Sequence, residues 1–319
     1  MAALHSSLTK RLVVIDGNAI LHRGYHAFPH LTNPQGEPIN AVYGFFSMFL
    51  NILHDLRPEY IAVCFDKSKP TMRQSLYAGY HQHRPQMATD FAQQVPVVHM
   101  LLETLRVPIF AITGYEGDDL VGTIAHKAVT DHSVEDVIIV TGDRDLLQLV
   151  NPHVKVLMPI TGITKTVIFN EAAVEEKYGV RPDQFIDYKA LIGDQSDGYP
   201  GVTGIGPKTA ANLLKEYGTF ENLYMHVGEL PEKTGLKLAT DAEQAALAKK
   251  LATILLDAPL QFDLDACQLD KLDFMRLREV FAAHSFTSLI AKLDTRYPER
   301  VKQKMKEQKK KNENQLELL

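Results

Sequence analysis

Short, continuous apolar runs alternate with longer segments of helical spacing through the first half of the chain. Arg11–Ile15, Tyr60–Phe65, Val107–Ile112 and Val137–Thr141 read as buried parallel strands, with Val154–Leu157 as a fifth. Helical segments separate them: Ala19–Tyr25, Ala41–Leu56, Phe91–Leu105 and Leu120–Thr130. The second is amphipathic, with Val42, Phe45, Phe46, Phe49, Ile52, Leu53 and Leu56 recurring on one face. This rhythm predicts an α/β fold, a mainly parallel sheet with helices on both faces. Ligands of such sheets bind beyond the carboxyl ends of the strands. Asp16, Asp66, Glu116 and Asp143 each follow a predicted strand, so the topology brings them to one rim.

Two further segments depart from this rhythm. Lys67–Asp90 is rich in Lys, Arg, His, Gln and Tyr, and fills a strand–helix connection that is normally short. Beyond about Asn170 the chain turns helical: Phe185–Ile192, a glycine-rich stretch from Pro200 to Ala210, a helix that Pro207 can open, two helices in Glu232–Leu256 and one or two in Phe274–Leu293. The expected division is a core over 1–180, a helical region over 181–298 and a charged tail over 299–319.

Composition sets few further bounds. The 319 residues suffice for one large or two modest domains, and an apolar fraction of 45% supports a full core. No apolar run approaches the length of a membrane span, and the first ten residues lack a signal-peptide core. Only two cysteines, Cys64 and Cys267, occur, which suits a reducing cytoplasm. The net charge of −5 argues at first against nucleic acid. It loses force if the acids cluster around metals, because the local pattern of Lys and Arg then matters.

The acids do cluster. Glu116, Asp118 and Asp119 stand in Gly114-Tyr-Glu-Gly-Asp-Asp; Asp143 and Asp145 stand in Thr141-Gly-Asp-Arg-Asp; Asp194 and Asp197 stand in Gly193-Asp-Gln-Ser-Asp. With Asp16 and Asp66 they offer more oxygen ligands than two Mg²⁺ or Mn²⁺ ions need. Paired ions about 3.5–4 Å apart can activate a water and stabilise a leaving oxygen. Helix capping is the plainer explanation for Asp118 and Asp119, and a solvated loop for any one cluster. Gly201, Gly204, Gly206, Lys208 and Thr209 lie in a hairpin whose backbone N–H groups can meet phosphates, or in an ordinary helix–helix turn. Lys67, Arg73, His81 and Arg84 interleave with Tyr77 and Tyr80, as in a strand-binding surface or a merely solvated one.

These motifs occur in the order found in the structure-specific 5′-nucleases, joined by Asp16-Gly-Asn, Arg23-Gly-Tyr-His-Ala-Phe28 and Phe65-Asp66. The chain resembles that family over roughly residues 10 to 295, and is most similar to the 5′-nuclease domain of bacterial DNA polymerase I. The resemblance implies a PIN-like core, a helical arch at about 67–90 that passes a 5′ flap, and a helix-hairpin-helix region that binds duplex. It implies a first metal site at Asp16, Asp66, Glu116, Asp118 and Asp119, and a second at Asp143, Asp145, Asp194 and Asp197. Arg23, His81 and Arg84 fall at positions implied in catalysis. Arg23, Tyr25, Lys67, Arg73, Tyr77, Tyr80, His81 and Arg84 fall at or near DNA-contacting ones, and the Gly201–Lys208 hairpin often holds K⁺ in the family.

The implied activity is a Mg²⁺- or Mn²⁺-dependent 5′→3′ exonuclease and flap endonuclease, monomeric and membrane-free, acting on branched or nicked DNA. A non-cleaving branched-DNA binder and a PIN-type ribonuclease or phosphatase are its rivals. No polymerase region follows, so a chain complete at this length would need recruitment by another route. Gln315-Leu-Glu-Leu-Leu319 is similar to a sliding-clamp-binding pentapeptide, or is a chance apolar terminus. Three further positions, Gly117, Arg144 and Gly198, depart from common family residues and are expected to be tolerated. His81 replaces a common lysine. An ordinary histidine is largely neutral at pH 8, so His81→Lys should raise cleavage at alkaline pH. An unchanged pH–rate profile would remove His81 from the mechanism.

Overall fold

The computed structural model describes residues 10–67, 70–82, 85–162 and 165–298. Six strands form the main sheet: β1 (Arg11–Asp16), β2 (Tyr60–Cys64), β3 (Ile109–Phe110), β4 (Asp136–Val140), β5 (Val154–Thr161) and β6 (Lys165–Phe169). Their order is β3-β2-β1-β4-β5-β6, parallel except for the antiparallel edge strand β6. From β1 the chain first builds outward to β2 and β3, then returns to lay β4 on the other side of β1. The order therefore reverses between β1 and β4, where α/β sheets open a crevice at the strands' carboxyl ends. Ile15 pairs with Val140 there, so Asp16 and Thr141 emerge side by side.

The helices are α1 (Gly17–Ala27), α2 (Asn40–Leu56), α3 (Met72–Leu76), α4 (Thr89–Ala92), α5 (Val95–Leu105) and α6 (Gly117–Thr130) in the first half. In the second half come α7 (Glu171–Tyr178), α8 (Phe185–Ile192), α9 (Pro207–Tyr217), α10 (Phe220–Met225), α11 (Glu232–Thr240), α12 (Ala242–Ala252), α13 (Phe274–Ala283) and α14 (Thr287–Arg296). One face of the sheet packs Val13, Ile15, Ile61 and Val63 against α2 and α5. The other packs Leu12, Val14, Ala62 and Cys64 against α6 and continues into α8 and α9. The alternation along each strand explains why the runs are apolar throughout: both faces are buried. Helices α1 and α2 meet at glycines, where a Cβ on Gly44 would lie 2.4 Å from the Gly24 Cα. That contact fixes α1, which leaves the sheet directly from Asp16.

Two strands differ from the sequence pattern, and the C-terminal helices have their own packing. The third strand is much shorter than Val107–Ile112 suggests, since only Val63 and Cys64 pair with it. The edge strand β6 was not expected: Lys165–Ile168 are exposed, so its side chains carry no buried face to betray it. The C-terminal helices do not group with the helical region assigned to 181–298. Phe281, Phe286, Leu289 and Leu293 pack into the α2/α5 layer, Phe281 meets Phe46 at 5.6 Å, and Lys292 bonds Ser47 Oγ at 2.7 Å. Burial of those four apolar side chains draws α13 and α14 back onto the core.

Both cysteines are free and buried, and among the described residues no helix is long and apolar enough to cross a membrane. At the amino ends of the strands, Asp136 accepts from Arg11 Nε at 2.7 Å and Lys155 Nζ at 2.8 Å. Burial pushes its carboxyl up, but these two cations outweigh it and hold the group below its ordinary value. A depressed carboxyl contributes stability above its unfolded pKa, and that contribution fades as pH falls through the folded one. Asp136→Asn should therefore cost about 1–2 kcal/mol at neutral pH, modest because both cations face solvent. Urea denaturation should show the gap closing below about pH 4; a gap unchanged at acid pH would refute the pairing.

Candidate active site

The crevice at the switch point is walled by carboxylates. Asp16 caps α1: its Oδ1 accepts from Ala19 N at 3.0 Å and its Oδ2 from Thr141 Oγ1 at 2.7 Å. Asp66, just beyond β2, accepts from Gly117 N at 2.6 Å. Asp118 enters from the first turn of α6, where the helix dipole favours negative charge. Asp143 follows β4 and accepts from Asp145 N at 2.9 Å. These four are within electrostatic reach of one another. Burial chiefly, and then Asp143 and Asp66, raise the Asp16 carboxyl to about 7. Burial, then Asp143, Asp16 and Asp66, push Asp118 well above the ordinary carboxylate range.

A second group adjoins the first through Asp143. One oxygen from each of Asp145, Asp194 and Asp197 falls within 4.8 Å of the others. Buried Lys189 on α8 stands between two of them, 2.6 Å from Asp145 Oδ1 and in contact with Asp194 Oδ2. The two carboxyls respond differently. Burial and the neighbouring Asp143 raise Asp145 to about 7 despite Lys189. For Asp194 burial is outweighed by Lys189, by Ser196 and by the Asp197 N–H, and the carboxyl is lowered. The lysine, which the sequence reading missed, is thus the resident counter-charge of this group. Its signal was faint: one lysine between apolar Tyr188 and Ala190 on a buried helix.

Asp119 and Arg73 are paired with each other. Asp119 accepts four hydrogen bonds, from Arg73 Nη1 (2.9 Å), Arg73 Nη2 (2.8 Å), Leu255 N (3.0 Å) and Glu116 N (3.2 Å). That matches the acceptor capacity of a carboxylate, so Asp119 is held by the protein on both oxygens. Arg73 is buried and donates to Glu116, Asp119 and the carbonyls of Leu251 and Thr253, leaving no fork for DNA phosphate. Glu116 also accepts from Thr71 Oγ1 at 2.6 Å and Tyr80 Oη at 3.0 Å. Tyr80 is itself buried, so it is not open to stack on a base. This network sews the start of the 67–90 insertion to α6 and α12.

The remaining expected residues are dispersed around the crevice. His81 adopts a left-handed backbone (φ 59°), stacks on Tyr80 and places Nε2 3.1 Å from Asp197 Oδ1. Arg23 on α1 donates to the Pro159 carbonyl, and Tyr25 Oη to the Asp90 carboxylate at 3.0 Å. Lys67 is exposed and Tyr77 half-buried. In the hairpin, a Cβ on Gly201 would lie 2.3 Å from Gly193 N, a close approach only glycine permits. Gly204 has φ +76°, Gly206 caps α9, and Lys208 and Thr209 are exposed on its first turn. Arg84 and Gln315–Leu319 lie outside the described residues.

The carboxylates thus wall a switch point above a mainly parallel sheet, flanked by a helical region. The family model for the 5′-3′ exonuclease N-terminal resolvase-like domain matches residues 11–179, and that for the 5′-3′ exonuclease C-terminal SAM fold matches 180–275. The chain belongs to the 5′-3′ exonuclease family. It is 39% identical over 285 residues to DNA polymerase I of Caldicellulosiruptor bescii, and 39% over 289 residues to that of Bacillus caldotenax. These alignments cover 89% and 90% of the chain and 33% of each polymerase, so the chain spans about a third of those relatives. Similar solved folds include the bacteriophage T5 D15 flap endonuclease (D155K) with DNA and metal ions (TM-score 0.64, 20% identity, covering 92% of this chain and 99% of that one). The Rad2 catalytic core with DNA is another (TM-score 0.54, 16% identity, covering 89% and 92%).

Arg73→Met should cost about 3 kcal/mol or more, because it strands two buried carboxylates. Thermal denaturation measures this, and Arg73→Lys should recover only part of the loss, since a lysine lacks the two-pronged donor. A neutral Arg73→Met would mean that the network is ornamental.

Proposed function

We propose that the chain is a divalent-metal-dependent 5′→3′ exonuclease and 5′-flap endonuclease, hydrolysing DNA phosphodiesters near single-strand/duplex junctions. The observation that carries this is the meeting of Asp16, Asp66, Asp118 and Asp143 at the sheet's switch point, beside the Asp145/Asp194/Asp197 group. The donor set fits hard ions such as Mg²⁺ or Mn²⁺: it is all oxygen, and burial, with crowding second, lifts Asp16 and Asp145 to about 7. Asp16, Asp66, Asp118 and Asp143 would hold one ion, with Glu116 at its edge, and Asp145, Asp194 and Asp197 the second. Bound there, paired ions supply an activated water and a stabilised leaving oxygen.

The chain's own residues prepare that site. Thr141 and the Ala19 N–H orient Asp16, and the Gly117 N–H orients Asp66. Asp143 orients Asp145 through the Asp145 N–H. Lys189 reduces repulsion inside the second group. His81, held over Asp197, carries the insertion to the crevice edge, where Lys67 and Arg23 would meet the strand. The exposed first turn of α9, with Lys208 and Thr209, suits duplex phosphates, with K⁺ on the hairpin carbonyls. The T5 and Rad2 neighbours, each seen with DNA, support the same reading.

A labelled 5′-flap duplex tests it. Cleavage should require Mg²⁺ or Mn²⁺ and should weaken steeply with salt. Asp143→Asn keeps an acceptor for Asp145 N, so it should retain flap binding while cleavage falls by on the order of a hundredfold or more. Full activity in that variant would overturn the assignment. Metal-independent flap binding without cleavage in the parent chain would favour a binding module instead.

A further inference from the structure

Outside the carboxylate crevice, one pair of side chains is arranged for a metal of another kind. His22 and His26 lie one turn apart on α1, exposed on the same face, with their Nε2 atoms 3.2 Å apart. Two nitrogens bound at about 2.0–2.1 Å to a tetrahedral ion are separated by about 3.3 Å. The spacing is that of the paired histidines in helical zinc motifs. We propose that His22 and His26 form a surface site for a divalent ion of imidazole preference, such as Zn²⁺, Ni²⁺ or Cu²⁺, distinct from the carboxylate site.

The geometry is held rather than incidental. The His22 ring stands edge-on to Phe91 at 5.9 Å, and His26 edge-on to Tyr25 at 5.0 Å. Tyr25 in turn stacks on Phe91 at 4.6 Å and anchors its hydroxyl on Asp90. The backbone beneath is equally fixed, by the Gly24–Gly44 contact and by Asn40 Nδ2 donating to the Tyr25 carbonyl at 2.9 Å. Ligands locked by their neighbours lose little entropy on binding. Arg23, the cation between the two histidines in sequence, has a guanidinium nitrogen committed to the Pro159 carbonyl. Without an ion the same approach is met by one ring donating N–H to the other. Two protein ligands leave the ion's other positions to water, so binding should be moderate and exchangeable. Imidazole nitrogens bind the later transition metals far better than Mg²⁺, so Mg²⁺ should leave the histidine pair open.

The test is calorimetric titration of untagged protein with Ni²⁺, in millimolar Mg²⁺ to occupy the carboxylates. The parent chain should bind Ni²⁺ at a site that His22→Ala and His26→Ala each weaken by roughly tenfold or more. Asp143→Asn should leave that site intact. Because both histidines are exposed, each variant should melt with the parent in Mg²⁺ alone; this separates lost binding from lost folding. Ni²⁺ binding equal in the parent and both variants, or no Ni²⁺ binding by the parent, would overturn the proposal.

Discussion

Negative charge crowded into a desolvated crevice is the constraint on which this structure turns. Burial alone disfavours each carboxylate, and neighbours of like sign add to the cost. The chain meets it with three kinds of compensation. Helix starts place N–H groups against Asp16 and Asp66. The positive end of α6 faces Glu116, Asp118 and Asp119. Arg73 and Lys189, both buried, neutralise one subset each. Compensation falls short at Asp16, Asp118 and Asp145, whose carboxyls stay raised. The unmet need coincides with the crevice, which is the physical reason to read it as an ion site.

The acids of the Gly114–Asp119 segment show how one motif divides its labour. Asp118 turns into the crevice, whereas Asp119 spends every acceptor position on the protein. Glu116 stands between, with three of its four acceptor positions used by Thr71, Arg73 and Tyr80. Adjacent carboxylates thus serve one function and one scaffold. The scaffold reaches far, since Arg73 also bonds the carbonyls of Leu251 and Thr253 and so ties the insertion to the end of α12.

Much of this was legible because strands buried on both faces write themselves as unbroken apolar runs, and those of β1, β2 and β4 end at or within three residues of an acid, Asp16, Asp66 and Asp143. The order reversal at β1 then follows from connectivity and brings those ends together. The illegible parts lacked such a signature. Strand β6 is exposed over Lys165–Ile168 and pairs only by backbone. Lys189 and Arg73 looked like ordinary helix and surface cations, because charge neutralisation across more than forty residues leaves no local pattern. The return of α13 and α14 to the core was hidden for the same reason: their apolar faces say that they pack, not against what.

The glycines of the second half bear on how the two acid groups stay in register. Asp194 sits in a two-residue ladder with Tyr199, closed by the Gly193–Gly201 approach. The same backbone continues directly into the hairpin that opens α9. A side chain at Gly201 would displace Gly193 and with it Asp194, so the hairpin and the second acid group cannot move independently. Lys189, one turn before that ladder, also holds Asp145 of the same acid group. The hairpin that opens α9 is therefore connected to the acid crevice through one short segment, Lys189 to Gly201. Backbone contact and an ion pair hold it, and Ala190 and Leu191 anchor it in the apolar core.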